Sequence, residues 1–284
     1  MLDVVSPQEA QDILTRKTID NDVVKNEDTT DKTLIIVSKL PSGFKGYPEG
    51  TKISYEPITL GELEAINSGD EVDITRSIAL LLKSIHCNTI PVDDLYYWDV
   101  MYIGIQRKLL AFGDTVGVTY AQCPNCGNII KKEFDYTELA FKEIEAQELP
   151  VITSLQDTEV EIGLITIKDF LEIDTDKGEL DVYARMIKNL PYEESYKLLS
   201  NCTGRDAKKI KYIDKLLNYG LLPFIEKCDA EIPNPEYKEG NKKKVKKTIP
   251  CGTEVRVEVR SPFEVVFPED NLTDDFDSEI RFGR

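Results

Sequence analysis

The motif CPNCG at residues 123–127 constrains this chain more than any other feature of its sequence. Residues 115–120 before it alternate as a strand does, and residues 129–134 after it predict a return strand. A tight turn between two strands can aim two thiolates at one metal ion, about 2.3 Å away. Pro124 presets the turn, and Gly127 can adopt the positive φ that lets the chain double back. We therefore interpret this segment as one half of a zinc ribbon.

A tetrahedral zinc site needs two further ligands besides Cys123 and Cys126. The remaining candidates in the sequence are Cys87, Cys202, Cys228, Cys251 and His86. Cys251-Gly252 repeats the Cys-Gly ending of the first motif, and residues 253–259 after it alternate as a half-buried strand. This repetition favours Cys251 as a ligand and Cys228, which precedes it, as its partner.

The insert 229–250 separates these two cysteines, and it is polar and rich in lysine. We interpret it as the expanded turn of a second knuckle, with its ends, 230–233 and 248–250, paired as a short hairpin stem. The predicted ligands are Cys123, Cys126, Cys228 and Cys251, and the predicted cofactor is Zn²⁺. Because four thiolates leave no open coordination position, the predicted zinc is structural and not catalytic.

The other cysteine and histidine residues fit structural roles. Cys87 and Cys202 lie in a predicted helical context and are interpreted as core residues. His86 is expected near a helix end, as a hydrogen-bonded structural histidine. A redox CxxC motif would usually begin a helix, which lowers the pKa of its first cysteine, whereas here the flanking residues favour strands.

Composition excludes several classes of function. The 284 residues carry a net charge of −17 and one histidine, which disfavours nucleic-acid binding and histidine-based catalysis. No apolar run approaches a membrane span, and the N-terminus has no secretory signal pattern, so we expect synthesis in a reducing cytoplasm. No phosphate-binding loop, dinucleotide fingerprint or serine-hydrolase motif is present, so we predict no enzyme activity, no small-molecule substrate, and no nucleic-acid or membrane partner.

The order of predicted elements favours an α+β fold, with helical bundle-like blocks packed on antiparallel hairpins that a zinc-ribbon-like site joins. A helix capped by Asp73 is predicted to carry Ile74 to Ile85. A second helix, capped by Asp93 and nearly apolar all round, is predicted from Asp94 onward and is expected to be buried. The remaining predicted strands lie at 34–37, 53–57 and 151–167, and residues 167–222 are predicted to be mainly helical with breaks at 189–191 and 201–205.

The predicted domain organisation has three parts. Residues 1–30 form an N-terminal arm with a short helix at 7–14, and residues 269–284 form an acidic C-terminal tail. The main domain spans 31–268, with its zinc site in 119–135 and 226–260 and its insert at 229–250. We expect the arm, the insert and the tail to order on neighbouring proteins.

These features together resemble the T4-like bacteriophage baseplate protein family, and in particular its hub-associated subunits. The similarity rests on a helical block after the Thr59-Leu-Gly-Glu-Leu start, an aromatic-rich helix, the CPNCG motif with its flanking strands, YGLLPF at 219–224, the Cys251-Gly252 strand and a closing aromatic-proline piece at 262–268. It covers roughly residues 50–268. The family's second knuckle is usually a compact CxxC, whereas here the insert separates the two cysteines.

The resemblance implies a structural subunit of the baseplate of a contractile-tailed bacteriophage, without enzyme activity. Its partners would be other baseplate and tail proteins, which it connects, and its location would be the virion tail baseplate after synthesis in the bacterial cytoplasm. Two alternatives stay open at this point. One is a zinc-ribbon adaptor in transcription or translation, and the other is a baseplate assembly factor absent from the mature virion.

Overall fold

The computed structural model describes residues 34–59, 61–62, 74–112, 116–234 and 246–259. The predicted arm, its helix at 7–14, the acidic tail and the centre of the insert lie outside the described residues. The three-part domain organisation therefore stays a prediction.

Helices and hairpins alternate along the described chain. Its α-helices are α1 (Ile74–Lys83), α2 (Tyr97–Phe112), α3 (Ile167–Leu171), α4 (Glu179–Met186), α5 (Tyr192–Ser200) and α6 (Gly204–Leu217). Its strands are β1 (Ile35–Ile36), β2 (Ile53–Tyr55), β3 (Ile85–Cys87), β4 (Val116–Gln122), β5 (Ile129–Asp135), β6 (Phe141–Lys142), β7 (Val151–Leu155), β8 (Thr158–Ile162), β9 (Gly220–Leu221), β10 (Phe224–Lys227), β11 (Glu231–Pro233), β12 (Thr248–Pro250) and β13 (Glu254–Val257).

Every strand pair in the described residues is antiparallel. Strands β1, β2 and β3 form one three-stranded sheet, and the others form the pairs β4–β5, β6–β9, β7–β8, β10–β13 and β11–β12. Six helices packed with small antiparallel hairpins confirm the predicted α+β class.

Helix α2 is the centre of the molecule, as its apolar sequence predicts. Val100, Met101 and Ile103 are fully buried against the first sheet and α1. On the next turn, Ile105 packs in a smaller cluster with β5. Trp98 contacts the first core and also the second core, which β7, β8 and α4 to α6 form. One helix therefore holds the two main cores and the hairpin region together.

Two predicted helix boundaries are wrong, and each lies at a tertiary contact. Ile85, placed by periodicity on the stripe of α1, lies instead in β3, where it pairs with Tyr55. Consequently His86 and Cys87 are strand residues and not helical ones. Helix α2 begins only at Tyr97, and Leu95 before it accepts a backbone hydrogen bond from Ile167. The predicted cap Asp93 instead lies within a short 3₁₀ turn, Val92–Asp94, which has no side-chain cap.

The predicted helical region from 167 onward has both predicted breaks, but it also has an unpredicted break at 172–178 and ends earlier than predicted. Helices α4, α5 and α6 are separated at the two predicted positions, and Cys202 lies in the turn between α5 and α6. Helix α6 ends at Leu217, and the next residues form β9, which pairs with β6. The sequence does not predict this strand, because two residues are too few to show an alternation.

A buried carboxyl group attaches the turn-rich loop at 41–50 to α2. Asp99 is fully buried and accepts hydrogen bonds from the Ser42 amide (3.0 Å) and the Tyr47 hydroxyl (2.9 Å). The Tyr47 hydroxyl in turn accepts the Tyr96 amide at 2.9 Å, and the two tyrosine rings stack. A loop without strands of its own is thereby held against the central helix, because each buried polar group has a partner.

Asp99 should make the stability of the fold depend on pH. Burial raises the pKa of Asp99 from 3.8 to about 6, so the native state binds this proton more tightly than the unfolded chain does. Its contribution is fully present below pH 3.8 and is lost as the pH rises through about 6. Relative to Asp99→Asn, the native protein should lose up to about 3 kcal/mol over this range, measured by urea unfolding at a series of pH values.

Asp181 provides a control of opposite sign. Burial alone would raise its pKa, but hydrogen bonds from Tyr192, the Asp174 amide and Arg185 lower it. The stability that Asp181 contributes should therefore be lost as the pH falls, and Asp181→Asn should remove that loss. Parallel pH curves for wild type and Asp99→Asn would contradict the assignment of Asp99.

Candidate metal centre

Four cysteine side chains from two hairpins converge at one point of the fold. The Sγ atoms of Cys123, Cys126, Cys228 and Cys251 all lie within 4.8 Å of one another. The Cys123 and Cys251 sulfurs are 3.8 Å apart, and those of Cys126 and Cys228 are 3.5 Å apart. The four residues selected from the sequence are thus brought together as a possible metal site.

The first knuckle is the turn between β4 and β5. The Cys123 amide donates to the Asn128 carbonyl at 2.8 Å, and the Gly127 amide donates to the Cys123 carbonyl at 2.9 Å. Gly127 has φ +74°, a conformation in which an L side chain is strained. These contacts turn the chain so that Cys123 and Cys126 present their sulfurs on the same side.

The second knuckle repeats these hydrogen bonds although it is interrupted. The Cys228 amide donates to the Thr253 carbonyl at 2.9 Å, and the Gly252 amide donates to the Cys228 carbonyl at 2.9 Å. Gly252 has φ +65°, as Gly127 has a positive φ in the first turn. Cys228 and Cys251 therefore occupy the positions that Cys123 and Cys126 occupy in the first knuckle.

The insert leaves and rejoins this turn through a short stem, as predicted. Strands β11 and β12 pair antiparallel, with Ile232 opposite Ile249. The Cys251 amide donates to the Ala230 carbonyl at 2.7 Å, which closes the stem next to the cysteine. A long insert can thus enter a knuckle without displacing its ligands, because its two ends are fixed to each other.

The two hairpins pack face to face behind the sulfurs. Ala121 from β4 and Val255 and Val257 from β13 are buried in one cluster with Cys123 and Cys228. Thr119 Oγ1 donates to the Glu258 carbonyl at 2.7 Å, which ties the hairpins together at the other end. Strand β10, the partner of β13, was not predicted, although Phe224–Lys227 is half-buried on alternate residues.

The sulfur geometry fits a tetrahedral thiolate site. Four ligands about 2.3 Å from one ion are separated from each other by about 3.8 Å, and the two measured contacts lie near that value. The sulfurs of Cys123 and Cys228 are in buried residues, whereas Cys126 and Cys251 are half-buried. A set of soft thiolates with these separations suits Zn²⁺ well.

Local donors stabilise negative charge on the sulfurs. Hydrogen bonds from Thr253 and from the Asn125 side chain, at 3.2 and 3.3 Å, lower the pKa of Cys251 to about 6. The Asn128 amide acts in the same direction on Cys126, but burial and the three other cysteines outweigh it and raise that pKa to about 12. Without a cation, burial and the neighbouring cysteines disfavour ionisation of all four thiols. A bound dication would offset the negative charge and favour the four thiolates.

The remaining candidates lie away from the cluster. Among the residues that the structure describes, these four cysteines form the cluster of potential metal ligands whose atoms lie close enough to share an ion. His86 contacts Glu56 at 3.0 Å, which confirms its hydrogen-bonded role, although in a strand. Cys87 and Cys202 are half-buried and pack against the edges of the two main cores.

Asn125 and Thr253 belong to the candidate site but were not predicted from the sequence. Both contact Cys251 Sγ, from the first knuckle and from the second respectively. The sequence shows that both residues belong to the knuckles, but their shared contact with Cys251 Sγ depends on how the two hairpins pack. No local pattern could have predicted that Asn125 reaches across to the other turn.

Comparison with protein-family models identifies the family. The model of the family described as T4 bacteriophage base plate protein matches residues 32–217. The match includes Cys123 and Cys126 and ends with α6, ahead of Cys228. No curated protein and no solved structure matches the chain. Among the helices of the described residues, none is long and apolar enough to cross a bilayer.

The positive φ angles of the two knuckles give a direct test of their equivalence. Gly127→Ala and Gly252→Ala should each lower the free energy of unfolding by about 1–2 kcal/mol. A Cβ at either position makes only ordinary contacts, with Gln122 at 3.7 Å or the Pro250 carbonyl at 4.0 Å, but it strains the left-handed backbone. Urea unfolding measures the loss. Gly204→Ala is the control, since Gly204 begins α6 with open space and without a positive φ, and it should be neutral or stabilising. A neutral Gly252→Ala would contradict the knuckle interpretation.

Proposed function

This chain belongs to the T4 bacteriophage base plate protein family, and from that premise we propose that it is a structural subunit of the baseplate of a contractile-tailed phage, where it connects neighbouring baseplate proteins. The observation that carries the proposal is the family match over 32–217, which includes both main cores and the first knuckle. Its role would be architectural and non-enzymatic, its partners other baseplate and tail proteins, and its location the virion tail.

The proposal includes a structural zinc ion held by Cys123, Cys126, Cys228 and Cys251. The sulfur separations and the donors around Cys251 support it. Cys123 and Cys251 are 128 residues apart in sequence, and Cys126 and Cys228 are 102 apart. Thiolates so far apart in sequence come together only when the chain folds, so ion binding and folding are coupled.

Zinc analysis of the purified protein tests the ligand set. We expect a single zinc ion per chain, and Cys126→Ser, Cys228→Ser or Cys251→Ser should each lose it. Each variant should also be destabilised by several kcal/mol, on the order of the binding energy lost. Removal of zinc from wild type by a strong chelator should lower the thermal midpoint in the same way.

Cys202→Ser is the matched control, because Cys202 is half-buried and lies outside the cluster. It should retain full zinc and near-native stability. If Cys228→Ser and Cys251→Ser keep full zinc while Cys202→Ser loses it, the ligand assignment is wrong.

The connecting role is proposed to use segments beyond the main domain. Residues 1–30 and 269–284 are polar and acid-rich, and the insert carries the basic run at 242–247. Segments of this composition bury too little apolar area to order alone, but they can order on neighbouring subunits and add avidity. The basic run in particular offers an electrostatic contact to an acidic neighbour.

Deletion of each segment tests this role. Removing 1–30 or 269–284, or replacing 235–245 by an Asn-Gly turn that preserves the stem, should leave zinc content and unfolding unchanged, since the knuckles and both cores remain. At least two of the deletions should reduce the number of assembled baseplates when the variant is expressed in place of the wild-type protein. Normal assembly after all three deletions together would refute the connecting role of these segments.

A further inference from the structure

The outer face of α6 carries a basic stripe on an acidic protein. The stripe consists of four cations and one aromatic residue: Arg205, Lys208, Lys211, Tyr212 and Lys215. At 3.6 residues per turn these positions span about 120° of the helix surface. The buried face, with Ile213 and Leu217, is opposite. All five stripe residues are exposed, and the Tyr212 side chain is 65% exposed.

The described chain makes little use of the charges of the stripe. None of its four cations forms an ion pair there, whereas the nearby Lys209 is used structurally and donates to the Ser154 carbonyl at 2.7 Å. Lys215 lies near Glu145, but that carboxylate is already paired with Lys142 at 2.8 Å. Asp214, the exposed acid of the helix, points away from the stripe and interacts with Tyr183.

The arrangement does not serve the stability of the helix. Lys208 and Lys211 are three residues apart and Lys211 and Lys215 four apart, which are repulsive like-charge spacings. Arg205 also lies in the first turn, where the helix dipole disfavours a cation. Lys215, in the last turn, is favoured by the helix dipole, but the like-charge spacings and the position of Arg205 oppose folding. In a sequence of net charge −17, binding is a role that would retain such a stripe.

We propose that the basic stripe of α6 is a docking surface for an acidic face of another baseplate protein, a proposal that rests on the function proposed above. Tyr212 sits among the cations as an amphipathic anchor, the type of residue that dominates interface energetics. The charges steer and orient the partner. Four cations are fewer than a typical nucleic-acid site uses, and the net charge of −17 repels a polyanion, so a discrete acidic protein surface fits the stripe better than DNA does.

The test uses the full-length protein and baseplate intermediates isolated from cells infected with a phage that lacks this gene. Co-sedimentation should show that wild type binds, and that binding weakens as salt rises. Lys208→Glu combined with Lys211→Glu should weaken binding at least about tenfold, because attraction becomes repulsion. Lys208→Arg combined with Lys211→Arg should bind as wild type does, and Tyr212→Ala should bind more weakly.

The control reverses two exposed lysines outside the stripe, Lys52→Glu combined with Lys168→Glu, and changes the net charge by the same amount. It should bind as wild type does. Urea unfolding should show the stripe reversal to be as stable as wild type or more stable, which separates binding from folding.

Equal binding by wild type and the stripe reversal would overturn the docking surface and leave the baseplate role intact. Failure of wild type itself to bind would overturn the baseplate role, and the docking surface with it. Two further measurements decide the occupant. Charge-dependent binding of wild type to a short DNA duplex, or salt-sensitive self-association lost on reversal, would overturn the assignment to another baseplate protein.

Discussion

Four thiol groups from two strand pairs that are far apart in the sequence converge at one point, and this convergence sets how the two pairs pack. Two-stranded hairpins such as β4–β5 and β10–β13 are marginal on their own, because each buries only one narrow face. Here their inner faces bury each other, and the sulfurs of Cys126 and Cys228 meet at 3.5 Å at one end of the pair. Strands β10 and β13 follow α6 in the chain, whereas the β4–β5 hairpin follows α2. Packing of these two strand pairs therefore brings the chain after α6 back to the chain after α2.

Buried polar groups on α2 fix the positions of the chain segments around this helix, as the sulfur cluster fixes the positions of the two strand pairs. The Arg107 guanidinium is fully buried and donates to the Glu56 carbonyl at 2.6 Å and to the Glu62 carboxylate at 3.1 Å. On the next residue, the Lys108 ammonium lies 3.5 Å from the Tyr136 ring centre, and burial lowers its pKa to about 7. Apolar contacts alone would tolerate small shifts of the chain segments along α2. Each of these polar contacts forms in only one arrangement of the segments, because hydrogen bonds depend on distance and direction. With Asp99, they define how the loops pack around the central helix.

The family match and the site geometry concern different parts of the chain. The match to residues 32–217 covers the two cores and the first knuckle, and the second knuckle follows it. The two turns nevertheless have the same hydrogen bonds. In each, the amide of the first cysteine donates to the carbonyl two residues beyond the second cysteine, and the glycine amide donates to the carbonyl of the first cysteine. An insert can therefore be accommodated in one knuckle because the turn is defined by its ends. In the described part of the insert, β11 and β12 form the stem that holds these ends together.

Features that depend on neighbours along the chain could be predicted from the amino-acid sequence. The CPNCG turn, its flanking strands, the stem of the insert, the breaks between α4, α5 and α6, and the four cysteines of the cluster all follow from local spacing and turn chemistry. Tertiary structure decided what depends on distant partners. Ile85 is in a strand because Tyr55 pairs with it, and α2 begins only after Leu95, which pairs with Ile167. Likewise, Asn125 contacts Cys251 only because the two hairpins face each other. Helical periodicity cannot distinguish a helix turn from a short strand when a neighbour supplies the hydrogen bonds, and that is the physical reason for the difference.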